Sequence, residues 1–139
     1  ILSLLADQGV KYLVRSLMTL GESVPVIEGI FHITYIENPG AAFGMLANKT
    51  IFFVIFTAII IGIMVYLFLK QQNNKSLYSI SIAFVVSGAL GNLIDRLFKG
   101  TVTDMFDFRI WPVFNIADML IVVGLGYIAY RLIIRGEEL

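Results

Sequence analysis

The stretch "IFFVIFTAIIIGIMVYLFL", residues 51–69, contains no charged residue. An α-helix needs about 20 largely apolar residues to cross the hydrocarbon core of a bilayer. The composition of the whole chain agrees, because its 139 residues are 58% hydrophobic and only 14% charged, with a mean hydropathy of +0.88. Soluble domains have about 25% charged residues. The sequence therefore predicts an integral membrane protein.

Three further stretches could span the membrane on either side of residues 51–69. Residues 77–97 and 115–134 are apolar over most of their length, and residues 1–20 are the least apolar. The sequence thus predicts an all-α membrane protein, a single domain over residues 1–139 with four transmembrane helices. We also expect a few residues to precede Ile1, since the first apolar stretch begins there without a basic flank.

The connection between residues 21 and 50 is too long to be a simple turn. Within it, Phe31, Ile33 and Tyr35 alternate with His32 and Thr34. Apolar residues at every second position are typical of a β-strand with one buried face. We predict a small extracytoplasmic β element over about residues 24–37, whereas residues 98–114 are interpreted as a mixed loop.

Basic residues indicate how the helices are oriented. If the four helices alternate in direction, Lys70, Lys75, Arg131 and Arg135 all lie on one side of the membrane. Lys and Arg are enriched in cytoplasmic loops. Both termini are therefore predicted to be cytoplasmic.

Composition also argues against several classes of function. The formal net charge is zero, which does not favour nucleic-acid binding. The chain has no cysteine, so it can form no disulfide and has no thiol chemistry. A single histidine, His32, argues against a histidine-based metal site, and we expect neither a metal nor a cofactor.

Polar residues within apolar spans are costly, and they commonly mark a function. Asp7 and Lys11 are four residues apart, so they share a helix face and could form a self-neutralising ion pair. Gly88, Asn92 and Asp95 also share one face, with Arg96 beside them. That face could be a site, or it could be a helix-packing surface with an Asp–Arg pair.

The third polar group lies in the loop 100–108 and in "FNIADML", residues 114–120. Asn115 is a suitable N-cap and Asp118 falls at position N3, so both residues could simply cap the last helix. However, the end of one predicted span and the start of the next bring Asp118 to the same membrane face as Asn92, and Asp104 lies between the spans. Two converging carboxylates that share one proton could activate water and protonate a leaving amine.

Five ordered motifs extend over essentially the whole chain. They are Asp7-Gln8-x-x-Lys11, Asn38-Pro-Gly40-Ala-Ala42-Phe-Gly44, Gly88-Ala-Leu-Gly-Asn92-Leu-Ile-Asp95-Arg96, Val102-Thr-Asp104 and Phe114-Asn115-Ile-Ala117-Asp118. With these motifs the chain resembles the lipoprotein signal peptidases (signal peptidase II), which are bacterial intramembrane aspartyl proteases. Two departures are a short N-terminus and a compact segment between Asp104 and Asp118.

The resemblance implies an endopeptidase that cleaves prolipoproteins just before a diacylglyceryl-modified cysteine. It assigns the catalytic dyad to Asp104 and Asp118, with Asp107 as a rival for Asp104 that does not match the motif. It implies substrate-binding roles for Asn38, Asn92, Arg96 and Asn115, and supporting roles for Asp7, Lys11, Gly40 and Asp95.

The resemblance also implies a location and partners. The location is the bacterial cytoplasmic (inner) membrane, with the active site near its outer face and the β element resting on the outer leaflet. The partners are a prolipoprotein substrate, membrane lipids and cyclic peptide inhibitors of the globomycin type, and we expect a monomer.

Two other functions remain compatible with the residues themselves. Intramembrane carboxylates also serve as proton relays, so a small proton-coupled transporter is the alternative. We find no internal repeat of the kind that many transporters have, and the acids cluster at one membrane face. A structural membrane subunit without chemistry is the third interpretation.

Overall fold

The computed structural model describes residues 1–40, 48–70 and 76–136. The predicted motif residues Ala42 and Gly44, and Lys75 of the polar loop, lie outside the described residues. In chain order the elements are α1 (Leu2–Leu17), β1 (Ser23–Ile27), β2 (Phe31–Asn38), α2 (Thr50–Lys70), α3 (Ser76–Lys99), β3 (Val102–Asp107) and α4 (Ile116–Ile133).

Among the described residues, three helices are long and apolar enough to cross a membrane. They are Thr50–Lys70, Tyr78–Lys99 and Ile116–Ile133, close to the stretches predicted from the sequence. Helix α1 has 16 residues and is not one of them. At 1.5 Å per residue it is about 24 Å long, shorter than a bilayer core of about 30 Å. The predicted span over residues 1–20 therefore stays a prediction.

Helix α3 lies at the centre and packs against α1, α2 and α4. Its contact with α4 depends on glycines, because a Cβ atom at Gly88 would lie 2.3 Å from the backbone oxygen of Ala117. Likewise, a Cβ at Gly124 would lie 2.6 Å from the backbone oxygen of Ser81. Small residues at helix interfaces let the backbones approach closely. The glycine at position 88 thus brings the C-terminal half of α3 against the start of α4.

We expect Gly88→Ala to destabilise the protein by about 1–3 kcal/mol, because its methyl group would overlap a backbone atom that cannot move aside. Gly126→Ala is the matched control, since a Cβ there meets nothing within 4 Å. The measurement is thermal unfolding of each variant in detergent. Equal melting temperatures for the two variants would contradict the close packing of α3 on α4.

The three strands form one antiparallel sheet in the order β1-β2-β3. The prediction of a β element over residues 24–37 is confirmed by β1 and β2. The interpretation of residues 98–114 as a loop is wrong, because they contain β3, which pairs Asp104 opposite Ile36. The sequence of β3 lacks alternation because both faces are covered: Thr103, Asp104 and Met105 are all buried.

Candidate active site

The first turn of α4 is closed by a capping box. The Asn115 side-chain oxygen accepts a hydrogen bond from the Asp118 backbone N–H at 2.9 Å, and the Asp118 carboxylate accepts one from the Asn115 backbone N–H at 3.3 Å. The capping interpretation of these two residues is therefore confirmed. Asp7 of α1 adds to it, since its Oδ1 accepts from the Ala117 backbone N–H at 2.9 Å. Carboxylates are favoured at this end of a helix by the helix dipole.

The amide nitrogen of Asn115 points away from the helix and into a buried polar network. Its Nδ2 donates to Asp104 Oδ1 at 2.6 Å, to Asn92 Oδ1 at 3.1 Å and to the Thr103 backbone oxygen at 3.3 Å. Asn115 itself is 0% exposed. One side chain therefore caps α4 and also contacts the carboxylate of β3.

Asn92 connects the same network to the second carboxylate. Its Nδ2 donates to Asp118 Oδ1 at 2.7 Å, while its Oδ1 accepts from Asn115. Asp104 and Asp118 are thus linked through two amides that belong to α3 and to the N-cap of α4. Asp104 is 2% exposed, whereas Asp118 is partly exposed.

Asp104 is held from its other side by the end of β2. Asn38 Nδ2 donates to Asp104 Oδ2 at 3.0 Å, and Asn38 Oδ1 accepts from the Gly40 backbone N–H at 2.9 Å. Arg96 donates to the Gly40 backbone oxygen at 3.1 Å, and its guanidinium lies 4.7 Å from the centre of the Phe53 ring. Two predicted residues, Asn38 and Asn115, therefore contact this carboxylate directly, and Arg96 is connected to it through Gly40 and Asn38.

The surroundings of Asp104 favour its protonated form. Burial, followed by the nearby negative charge of Asp118, raises the pKa of Asp104 from 3.8 to about 7. The hydrogen bonds from Asn38 and Asn115 act in the opposite direction but do not outweigh these effects. A carboxyl group with such a pKa can hold a proton at neutral pH.

Behind the network lies a cluster of two acids and two bases. Lys11 is 0% exposed, and its Nζ is 2.9 Å from Asp7 Oδ2, 3.0 Å from Asp95 Oδ2 and 3.0 Å from Asn92 Oδ1. Arg15 lies 3.5 Å from Asp95 Oδ1. The expected Asp7–Lys11 pair is present, but it is not isolated, since Lys11 also binds Asp95 and Asn92.

Asp107 lies in a different environment. Its carboxylate accepts from Thr34 Oγ1 at 2.8 Å, from the Arg109 backbone N–H at 2.8 Å and from the Arg109 guanidinium at 2.9 Å. Burial alone would raise the pKa of Asp107, but these hydrogen bonds leave it lowered. Its contacts stabilise the sheet and the turn after β3.

Two residues of the site were not singled out from the sequence. Thr103 is fully buried, and its Oγ1 binds Arg15 at 3.1 Å while its backbone N–H donates to Asp95 at 3.3 Å. Its position next to Asp104 in the Val-Thr-Asp motif was an available signal. Phe53 lies in the charge-free stretch 51–69 of α2, where no sequence pattern distinguishes the ring under Arg96 from its apolar neighbours.

The family model for signal peptidase (SPase) II matches residues 1–134. The chain is 46% identical to a lipoprotein signal peptidase of Moorella thermoacetica, over 99% of this chain and 92% of that protein. It is 48% identical to one of Caldanaerobacter subterraneus subsp. tengcongensis, over 94% and 90% of the two chains.

The fold has solved counterparts as well. One structure, described as a bacterial membrane enzyme determined by the in meso method at 2.3 Å resolution, matches with a TM-score of 0.92 and 35% identity, covering 99% of this chain and 90% of that one. A second, described in the same way at 1.9 Å, matches with a TM-score of 0.86 and 38% identity, over 95% and 88%. The similarity extends over nearly the full length of each protein.

Proposed function

Because the chain belongs to the signal peptidase II family of membrane proteases, which cleave the signal peptides of lipoproteins, we propose that it is an intramembrane aspartyl endopeptidase with Asp104 and Asp118 as its dyad. One observation carries this assignment. Two carboxylates from separate elements, β3 and α4, meet in a single hydrogen-bonded network with Asn92 and Asn115. Asp107, the rival acid, is bound instead to Thr34 and Arg109.

In the proposed reaction the two acids have different roles. Asp118, the more exposed acid, is ionised and acts as the base. It takes a proton from a water molecule while the oxygen of that water attacks the carbonyl carbon of the scissile bond. Asp104 is protonated and donates to the carbonyl oxygen. As the tetrahedral intermediate collapses, one of its hydroxyl groups returns a proton to Asp104, the C–N bond breaks, and the leaving amine takes the proton held by Asp118. Asn38 and Asn115 orient Asp104, while Asn92 orients Asp118.

The proposed substrate is a prolipoprotein cleaved before its diacylglyceryl-modified cysteine. An apolar cavity of about 420 Å³ between α3, β3 and α4 supports a lipidated substrate, because its lining includes Met119, which follows Asp118 in the chain, and Phe106, two residues after Asp104. It is lined by Phe84, Phe106, Ile116, Met119, Leu120 and Val123. Arg96 and Asn38 are suited to bind backbone carbonyl groups of the substrate or of a cyclic peptide inhibitor of the globomycin type.

We also propose that α1 lies in the membrane, which gives four transmembrane helices. Its surface supports this, because its charged Asp7 and Lys11 are buried against the other helices while Leu5, Leu13 and Leu17 are exposed. An apolar outer face and a polar inner face suit a helix surrounded by lipid. Both termini then lie in the cytoplasm, the site lies near the outer face of the bacterial inner membrane, and a monomer contains the complete site.

The pKa of Asp104 makes the rate depend on pH. If Asp104 is the proton donor, the active form is present below pH 7 and is lost as the pH rises through the pKa of about 7. We expect kcat/KM, which reports the ionisation of the substrate-free enzyme, to fall about tenfold for each pH unit well above that value, as for loss of a single essential proton. The measurement is a pH profile of kcat/KM at substrate concentrations well below KM. A rate that stays level between pH 7 and 9 would exclude Asp104 as the acid.

Cleavage by the purified protein tests the function itself. The substrate is a synthetic precursor peptide with a diacylglyceryl-modified cysteine in detergent micelles, and mass spectrometry identifies the broken bond. We expect one cut before the lipidated cysteine and none in the same peptide without lipid. The transporter alternative predicts instead an intact precursor and a proton flux in liposomes that requires Asp118.

A further inference from the structure

Lys11 uses all the hydrogen-bonding capacity of its ammonium group. An ammonium has three N–H donors and no acceptor. The Lys11 nitrogen has three acceptors within 3.0 Å, on Asp7, Asp95 and Asn92, and the side chain is 0% exposed. Two of these partners are carboxylates, whose combined negative charge already exceeds the single positive charge of Lys11. The third donor therefore serves an uncharged amide, which charge balance does not require.

The contact with Lys11 determines which way the Asn92 amide faces. The two ends of an amide have nearly the same shape but opposite hydrogen-bonding character. With Oδ1 accepting from Lys11, Nδ2 is directed toward Asp118 Oδ1, 2.7 Å away. The reversed amide would direct an NH₂ group at the ammonium and an oxygen at the carboxylate, so both contacts would become repulsive.

Asn115 cannot hold Asn92 in this orientation equally well. Its Nδ2 carries two hydrogens but has three acceptors, on Asp104 at 2.6 Å, on Asn92 at 3.1 Å and on Thr103 at 3.3 Å. The shortest of these bonds goes to Asp104, so the remaining hydrogen is shared between two acceptors. Lys11, in contrast, offers Asn92 a whole N–H.

We infer that Lys11 is a positioning residue for the proposed hydrolysis: it holds the Asn92 amide so that its nitrogen donates to Asp118 and directs that carboxylate toward the attacking water. This inference rests on the proposed function. Lys11 does not contact the reacting atoms and acts only through Asn92. Its removal should therefore slow the chemical step while leaving substrate binding nearly unchanged.

Arg15 provides a matched control within the same cluster. It carries the same charge as Lys11 and also pairs with Asp95, but its side-chain hydrogen bond goes to Thr103 Oγ1 at 3.1 Å. Lys11→Met and Arg15→Met therefore each remove one positive charge next to Asp95. Only the first variant removes the donor to Asn92.

The test compares kcat, KM and melting temperature of these two variants on the lipidated precursor. We expect Lys11→Met to lower kcat by about 10- to 100-fold, as is typical of residues that support a catalytic group, with KM within about threefold of the parent value. Arg15→Met should keep kcat within about threefold even where its melting temperature falls. Equal loss of kcat in the two variants would overturn the inference.

A second variant covers the case in which Lys11→Met does not fold. That substitution leaves the buried Asp7 carboxylate without a cation and leaves Asp95 with Arg15 alone. The double variant Asp7→Asn/Lys11→Met keeps the cluster neutral, and its reference is Asp7→Asn alone. The same drop in kcat between these two is expected. Unchanged kcat in the double variant would overturn the inference.

A double-mutant cycle tests whether Lys11 acts through Asn92. In an Asn92→Ala background, adding Lys11→Met should lower kcat by less than about threefold, because the amide it positions is gone. A full, additive loss would contradict that route. Cleavage by the parent protein in the same assay separates this result from a failure of the proposed function, which would abolish cleavage in the parent as well.

Discussion

Replacing either Asp104 or Asp118 with Asn is expected to lower kcat for cleavage of the lipidated precursor by at least about 10³-fold, the upper part of the range for general acid–base catalysis. An amide can neither accept the proton of the attacking water nor donate one to the carbonyl oxygen. Each variant should still fold, since Asn can form the N3 half of the capping box at position 118. The measurement is turnover by gel shift, with thermal unfolding of the same preparations.

Asp107→Asn is the matched control for this experiment. It makes the same chemical change three residues further along β3, at a carboxylate whose partners are Thr34 and Arg109. We expect some loss of stability but a kcat within about threefold of the parent. Turnover that survives in Asp104→Asn and disappears in Asp107→Asn would move the dyad to Asp107. Full turnover in all three variants would exclude the Asp104–Asp118 dyad, whereas no turnover by the parent protein would favour a membrane protein without this chemistry.

The second large effect is expected at Asn115, whose side chain both caps α4 and donates to Asp104. Serine caps a helix about as well as asparagine but has no amide to reach Asp104. Asn115→Ser should therefore keep most of the stability while kcat falls by about 10²- to 10³-fold, as when a donor to a catalytic centre is removed.

Asn115→Ala separates the two roles. It loses the cap as well as the amide, so we expect a similar kcat but a further loss of about 0.5–2 kcal/mol of stability. Thermal unfolding and kcat measured on both variants distinguish these effects. If Asn115→Ser retained full activity, the amide contact with Asp104 would have no catalytic role.

Periodicity and local capping rules predicted much of this fold. The charge-free run 51–69 and the apolar runs 77–97 and 115–134 each correspond to a helix, and the alternation around Ile33 corresponds to β2. The capping box of Asn115 and Asp118 is also confirmed, because it depends only on residues three apart in one turn. These features are local, so the sequence contains all of their determinants.

Strand β3 was missed because its pattern is not local in origin. Thr103, Asp104 and Asp107 are polar but buried. Their burial depends on hydrogen-bond partners on other elements, which are Asn115, Asn38 and Thr34 in that order. A strand covered on both faces by such partners shows no alternation of apolar and polar residues. The sequence likewise indicated which residues surround Asp104, but it did not indicate which of them are hydrogen-bonded to one another.

The sequence by itself determined that this is a membrane protein, where its three long apolar helices lie, and which residues are costly enough in lipid to require partners. Only the tertiary structure decided which partners those are, because the contact of α3 with α4 at Gly88 and the pairing of β3 with β2 join residues far apart in the chain. Hydrogen bonding also selects the orientation of each amide in the site. The amide of Asn92 is an example, because it accepts a hydrogen bond from Lys11, 81 residues away in the chain. Spacing along a chain cannot encode that contact, since it depends on the packing of two separate helices.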